Sequence, residues 1–184
     1  MHDESTVGVA SGDYGDVMVD LILGYECNVK CDYCSVCDEM RAHNMTTADA
    51  LAELARARGL GIRQVAFGGG EPTIRRDLFP LIRWCRERGF TDIKVSSNGL
   101  MYSYEAFARG IVDAGVTRFH ISAMAHTAAL YEKILGLRGG LDLVALGHIP
   151  VLDLIIKDDT WSHMPDIIRF WAAHGVRTFP LWLV

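Results

Sequence analysis

Short, continuous apolar runs alternate along this chain with longer stretches in which apolar positions return every three or four residues. A short run that is apolar throughout reads as a buried strand, and the three-to-four spacing reads as one face of a helix. Residues 17–23, 62–67, 92–96, 116–122, 149–156 and 177–183 are therefore predicted strands. Between the first two, Thr46-Thr47-Ala48-Asp49 has the form of a capping box, Leu51, Leu54 and Ala55 share one helical face, and Gly59 stops the helix. A second helix is predicted over 77–88, with Asp77 as its cap, Pro80 in its first turn and Gly89 past its end. A third covers 104–113 and is closed by Gly115, and a fourth covers 127–137. The last opens at Ser162, carries Pro165 in its first turn and stops at Gly175.

Strand–helix alternation at ~30 residues per unit is the pattern of a parallel sheet with right-handed crossovers. Six such units fall short of a closed eight-stranded barrel of ~250 residues. They predict an α/β fold, an open and curved partial (β/α)6 TIM-like barrel, whose ligands sit at the carboxyl ends of the strands. Residues 1–16 are polar and acidic and are expected to form a flexible N-terminal segment, leaving 17–184 as the core domain. The sequence ends on an apolar stretch, 179–184, with no helix after it to cover the last strand. Uncovered apolar edges invite aggregation. The expectation is that the chain is truncated at its C-terminus, a covering partner being the alternative.

Composition narrows the function classes. The chain has 184 residues, is 50% hydrophobic and 22% charged, and suits one folded domain. Its net charge of −5 comes without any basic block, which argues against nucleic acid as a partner. No apolar run reaches the ~18 residues of a membrane span, and no basic, then apolar leader opens the chain, so the expected address is the cytoplasm, with no membrane partner. Of the five cysteines, Cys27, Cys31, Cys34 and Cys37 crowd into one short stretch. Clustered thiols in a reducing compartment point to metal rather than to a disulfide framework. Cys85 stands apart on a helix face with Leu81, Ile82 and Trp84 and is expected in the core.

The spacing C-x3-C-x2-C of Cys27, Cys31 and Cys34 lets three thiolates wrap one face of an iron–sulfur cube and leaves the fourth iron without a protein ligand. Ferredoxin-type clusters use four cysteines, and structural zinc sites close their shell with two separated pairs. Cys37 extends the run to a fourth thiol. The alternative is thus a non-catalytic iron–sulfur or zinc-binding module closed by Cys37.

The three-cysteine spacing, with three further stretches, resembles the radical SAM superfamily. Gly69-Gly70-Glu71-Pro72, after the second strand, is similar to the family's GGEP motif, whose glycines allow close approach of a ligand and whose proline stiffens the turn. Ser96-Ser97-Asn98-Gly99, after the third, is similar to its Thr-Asn-Gly, with Ser97 keeping the hydroxyl. Ser122, in His120-Ile121-Ser122, falls where the family often has a serine at the SAM ribose or carboxylate. Tyr33 falls at the aromatic that meets the adenine, and Lys157, at the end of strand five, at a basic partner for the methionyl carboxylate. The run 69–99 looks most like the group that contains the molybdopterin-cofactor and peptide-modifying enzymes. Segment 139–148 is shorter than in that group, and no second cysteine cluster follows to form its auxiliary iron–sulfur domain in this chain.

The resemblance implies two cofactors, a 4Fe-4S cluster on Cys27, Cys31 and Cys34, and S-adenosyl-L-methionine (SAM) held by Tyr33, Gly69, Gly70, Glu71, Pro72, Ser97, Asn98, Ser122 and Lys157. It implies an oxygen-sensitive enzyme in which one electron cleaves SAM to methionine and a 5′-deoxyadenosyl radical that takes hydrogen from a peptide or small-metabolite substrate. The electron would come from a donor such as flavodoxin or ferredoxin. No acid–base side chain is needed for that first step, and the carboxylate of Glu71 is expected to support its loop. His120 and His126 flank the expected site, Trp161, Trp171 and Trp182 are expected to pack, and Tyr102 and Tyr104 to open a helix at the surface.

Overall fold

The structure, a computed structural model, describes residues 14–31, 33–122, 143–156, 158 and 160–183. Six strands form one sheet in simple sequence order: β1 (Met18–Ile22), β2 (Gln64–Gly68), β3 (Asp92–Ser97), β4 (Arg118–Ser122), β5 (Val151–Ile156) and β6 (Leu181–Leu183). Every neighbouring pair is parallel, so each connection must cross over. Helices α1 (Thr47–Gly59), α2 (Leu78–Glu87), α3 (Glu105–Ala114) and α4 (Met164–Ala173) make crossovers, and the sheet curls into the expected half-barrel. The helix expected over 127–137 lies outside the described residues. No helix among the described residues is long and apolar enough to cross a membrane.

Alternation along the strands decides which face packs. Ile93 and Val95 on β3, Phe119 and Ile121 on β4, and Leu152 and Leu154 on β5 are buried in one core with Leu54 of α1, Leu81 and Ile82 of α2, Ile111 of α3 and Trp171 of α4. The residues between them, among them Lys94, Ser96, His120, Ser122 and Asp153, are only half-buried and line the opposite face. A strand whose second face carries such residues cannot be covered by a helix on both sides, so that face stays open. Cys85 is fully buried in the core, as expected.

Local signals explain most boundaries. The Thr46 hydroxyl accepts the Asp49 N–H at 3.1 Å and donates to the Asp49 carboxylate at 2.6 Å, closing the start of α1. Gly115 takes the left-handed conformation at the end of α3 (φ 113°), the role expected of it. Asp77 behaves differently from expectation. It sits at the cap position of α2 but its carboxylate makes no capping bond, because the Arg75 guanidinium takes both oxygens at 3.0 and 2.7 Å and the Thr47 hydroxyl donates at 2.6 Å. A bidentate charged pair outcompetes a single backbone N–H. β6 is shorter than the 177–183 predicted because Pro180 has no N–H to add to the ladder, although its carbonyl accepts Leu154 N–H at 2.9 Å. Tyr102, expected at the surface, is wholly buried, whereas Tyr104 is exposed. Trp171 packs in the core, whereas Trp161 and Trp182 are exposed.

Burial alone would raise the Asp77 carboxyl, but the hydrogen bonds from Arg75 and Thr47 outweigh it and hold the group below its ordinary range. A depressed carboxylate contributes stability that is complete above its unfolded pKa of ~3.9 and is lost as pH falls through the folded value. Asp77→Asn should therefore be less stable than the parent at neutral pH, with the gap closing as pH drops below ~4. Urea melts of both proteins across pH 3–7 read this directly.

Candidate functional site

Everything at the carboxyl edge of the sheet depends on how two loops meet. After β1 the chain turns at Gly24 and runs into the cysteine stretch; after β2 it turns through Gly69 and Gly70. The Gly70 N–H donates to the Gly24 carbonyl at 2.8 Å, and the Glu71 N–H to the Glu26 carbonyl at 2.9 Å. The approach is so close that a Cβ on Gly70 would lie 2.2 Å from the Glu26 carbonyl oxygen, and one on Gly69 2.2 Å from that of Gly24. Gly69 also has φ 122°. The sequence explained these glycines by the approach of a ligand; in the structure they line the cleft and also hold the chain's own cysteine loop against them.

A third loop, after β3, is tied in by Glu71. This side chain is buried, at 2% exposure, and accepts from the Thr73 N–H (3.0 Å), the Thr73 hydroxyl, the Ser97 hydroxyl (2.8 Å) and the Asn98 N–H (2.7 Å). Burial pushes the carboxyl above its ordinary range, and those four donors pull it back only in part. Ser97 passes the linkage on, its oxygen accepting the Gly99 N–H at 2.9 Å. Asn98 completes the circuit to the cysteine loop, its amide donating to Asn28 Oδ1 at 2.8 Å. With all four of its bonds inside the protein, Glu71 braces the loop as its sequence position suggested.

The three loops enclose a cleft of about 180 Å³ that opens to solvent. Cys27, Cys31 and Cys34 all line it, facing Gly69, Gly70 and Glu71, with Ser97, Asn98 and Ser122 on the sheet side and Tyr33 on the loop side. Cys27 and Cys31 are half-buried and Cys34 exposed. Cys37 is exposed and is not among the lining residues. Among the described residues no three Cys, His, Asp or Glu side chains converge on a point that would hold a single metal ion.

Pro72 lies behind the cleft, buried at the start of the short 3-10 turn Pro72–Ile74. His120 points from β4 beside the cleft, its Nδ1 3.5 Å from Asp153 Oδ2. Lys157 and His126 lie outside the described residues. Several lining residues had no signal strong enough to single them out: Tyr25 and Val29 in the cysteine loop, Val36 beyond it, and Arg41, whereas Ser96 came in only as part of the quoted Ser96–Gly99 stretch. Arg41 was legible only as one more charge in a polar stretch, since its partners are backbone carbonyls that no sequence pattern reveals.

Comparison with known proteins follows the geometry. Residues 21–144 match the family model described as the Radical SAM superfamily. The chain is 27% identical over 164 residues to a probable GTP 3′,8-cyclase of Sulfurisphaera tokodaii, covering 84% of this chain and 51% of that protein. It is 32% identical over 126 residues to a probable GTP 3′,8-cyclase of Sulfolobus acidocaldarius, covering 67% and 40%. The chain thus spans about half the length, or less, of these curated relatives. Among solved structures, Streptococcus suis SuiB bound to precursor peptide SuiA superimposes with a TM-score of 0.72 at 16% identity, over 90% of this chain and 39% of that one. Native anSMEcpe with bound AdoMet and Kp18Cys peptide gives 0.73 at 13% identity, over 90% and 51%. These two likenesses are of fold.

Two substitutions test the loop junction. Gly70→Ala should displace the cysteine loop from the end of β2, seen as loss of the Gly24 and Glu26 contacts in amide chemical shifts. Glu71→Gln sets an amide donor against one of the donors now bound to the carboxylate and should cost about 1–3 kcal/mol in urea unfolding. Unchanged stability would mean that the carboxylate is not the brace described.

Proposed function

This chain belongs to the radical SAM superfamily, and on that footing we propose that it forms the core of an enzyme that cleaves SAM reductively at a 4Fe-4S cluster and directs the resulting 5′-deoxyadenosyl radical at a substrate hydrogen. The observation that carries this reading is the cleft walled by Cys27, Cys31 and Cys34 together with the Gly69–Glu71 turn. The donor set fits: three thiols lie on one wall, with the fourth, Cys37, off it. A cluster with one iron free of protein ligands would supply the electron for the cleavage.

The chain's residues do the positioning. Cys27, Cys31 and Cys34 ligate the cluster. The turn at Gly69 and Gly70 presents backbone to the amino group of SAM, Tyr33 flanks its adenine, and Ser122 reaches its ribose or carboxylate, with Lys157 as a basic partner. Ser97, whose hydroxyl is held between Glu71 and Gly99, acts with Glu71 and Pro72 by holding the loops, and Asn98 by bridging to Asn28. The cleft opens at the carboxyl ends of the strands, where small substrates reach parallel sheets.

The substrate is a small molecule or a peptide. Relatives named probable GTP 3′,8-cyclase favour the first, and a structural neighbour holding a precursor peptide leaves room for the second. An electron donor such as flavodoxin or ferredoxin and a cytoplasmic setting complete the proposal. Closure of the metal site by Cys37, as a non-catalytic module requires, is disfavoured by its position away from the cleft.

The test is anaerobic reconstitution with iron and sulfide, followed by SAM and dithionite, with 5′-deoxyadenosine measured by mass spectrometry. Product is expected from the parent chain, is lost in Cys31→Ala, and persists in Cys37→Ala. A cluster that forms without product and disappears in Cys37→Ala would instead establish the closed module.

A further inference from the structure

Among the described residues, Arg41 is a largely buried cation whose Nε makes no hydrogen bond. It lies in the short turn Met40–Ala42, just past the cysteines, with its side chain 15% exposed. One terminal nitrogen donates to the carbonyls of Val29 (3.0 Å) and Cys27 (3.4 Å), so a residue late in the stretch grips its beginning. The Nε is buried without a hydrogen-bond partner among the described residues, at 3.6 Å from Asp38 Oδ1. That carboxylate is exposed and already engaged by Lys30 at 2.8 Å. Among the described side chains in contact there, one carboxylate between two cations leaves a net positive charge, and a half-buried cation without full compensation is costly. The guanidinium lines the same cleft as Cys27, Cys31 and Cys34, and among the described lining residues it is the only cation.

We propose that Arg41 is a positioning residue with two roles: it clasps the cysteine loop shut through the Cys27 and Val29 carbonyls, and its charge biases the bound cluster toward reduction. The inference rests on reading the cleft as a cluster site. Both roles follow from the one placement. Guanidinium geometry lets a single side chain hold two carbonyls, and Arg41 does so at the wall of the cleft. Each electron added to a thiolate-bound cluster adds negative charge, so a nearby fixed cation stabilises the reduced form, net charge being one of the levers that set such potentials. Lys30 and Asp38, both exposed, act through water and contribute less.

Two measurements separate the roles from each other and from the functional reading. The first uses the metal-free chain and a lysine-specific protease, following the cut after Lys30 by mass spectrometry. Arg41→Met should be cut about tenfold faster than the parent, because loop opening limits cleavage, while Lys94 in β3 remains protected as a check on folding. An unchanged rate after Lys30 overturns the clasp. The second is an anaerobic redox titration of the reconstituted cluster, read by EPR. Arg41→Met should make reduction about tenfold less favourable, ~59 mV lower for a one-electron couple, whereas Arg41→Lys should stay at the parent value. Asp38→Asn leaves the clasp in place and removes the competing carboxylate, so it should move the potential upward even if Arg41→Met folds poorly. Equal potentials in the Met, Asn and parent proteins overturn the electrostatic role. A parent chain that takes up no iron overturns the cluster reading and the electrostatic role together, and the protease result still decides the clasp.

Discussion

The constraint on which the rest depends is the contact between the backbone of Gly24–Glu26 and that of Gly69–Glu71. Two hydrogen bonds of 2.8 and 2.9 Å hold the loops at a distance that admits no side chain on either glycine. This contact fastens the cysteine loop to the end of β2. Glu71 then follows at once, and its buried carboxylate gathers donors from its own turn and from the loop after β3. Three loops that would otherwise move separately become one rigid rim. A cleft with defined walls is the consequence, and its thiols face a wall that is mostly backbone.

The sheet makes this possible by being asymmetric. Its outer face is an apolar core under helices that include α1 to α4, and its inner face carries half-buried polar side chains such as Ser96, His120, Ser122 and Asp153. An inner face of that kind gains nothing from being filled by the protein itself. The half-barrel therefore supplies stability on one side and leaves the other for ligands, with the carboxyl ends of β1 to β4 bringing the motifs to one place.

Much of this was legible in the sequence, for physical reasons that can be named. Strands β1 to β5 announce themselves because parallel strands under helices are rich in apolar residues, and α1 and α3 because Thr46 and Gly115 carry the right end chemistry. The gathering of Cys27, Gly70, Ser97 and Ser122 followed from their common position at strand ends. What escaped notice depends on tertiary partners. Asp77 looked like a helix cap until Arg75 and Thr47 claimed its oxygens. Tyr102 looked like a surface residue, and is instead enclosed in the core beside Phe107 and Phe119. Gly69 and Gly70 were recognised, but their close contact with the chain's own cysteine loop was not anticipated. Arg41 had no signature, because binding to backbone carbonyls leaves no trace in the identity of the residues bound.

The central claim is that the cleft holds a cluster with one iron left for SAM. The most direct measurement is the EPR spectrum of the reduced, reconstituted chain recorded with and without SAM. The account predicts that SAM changes the spectrum, and that the same change occurs in Cys37→Ala. A spectrum that is indifferent to SAM in the parent chain, from a cluster that Cys37→Ala abolishes, would contradict it.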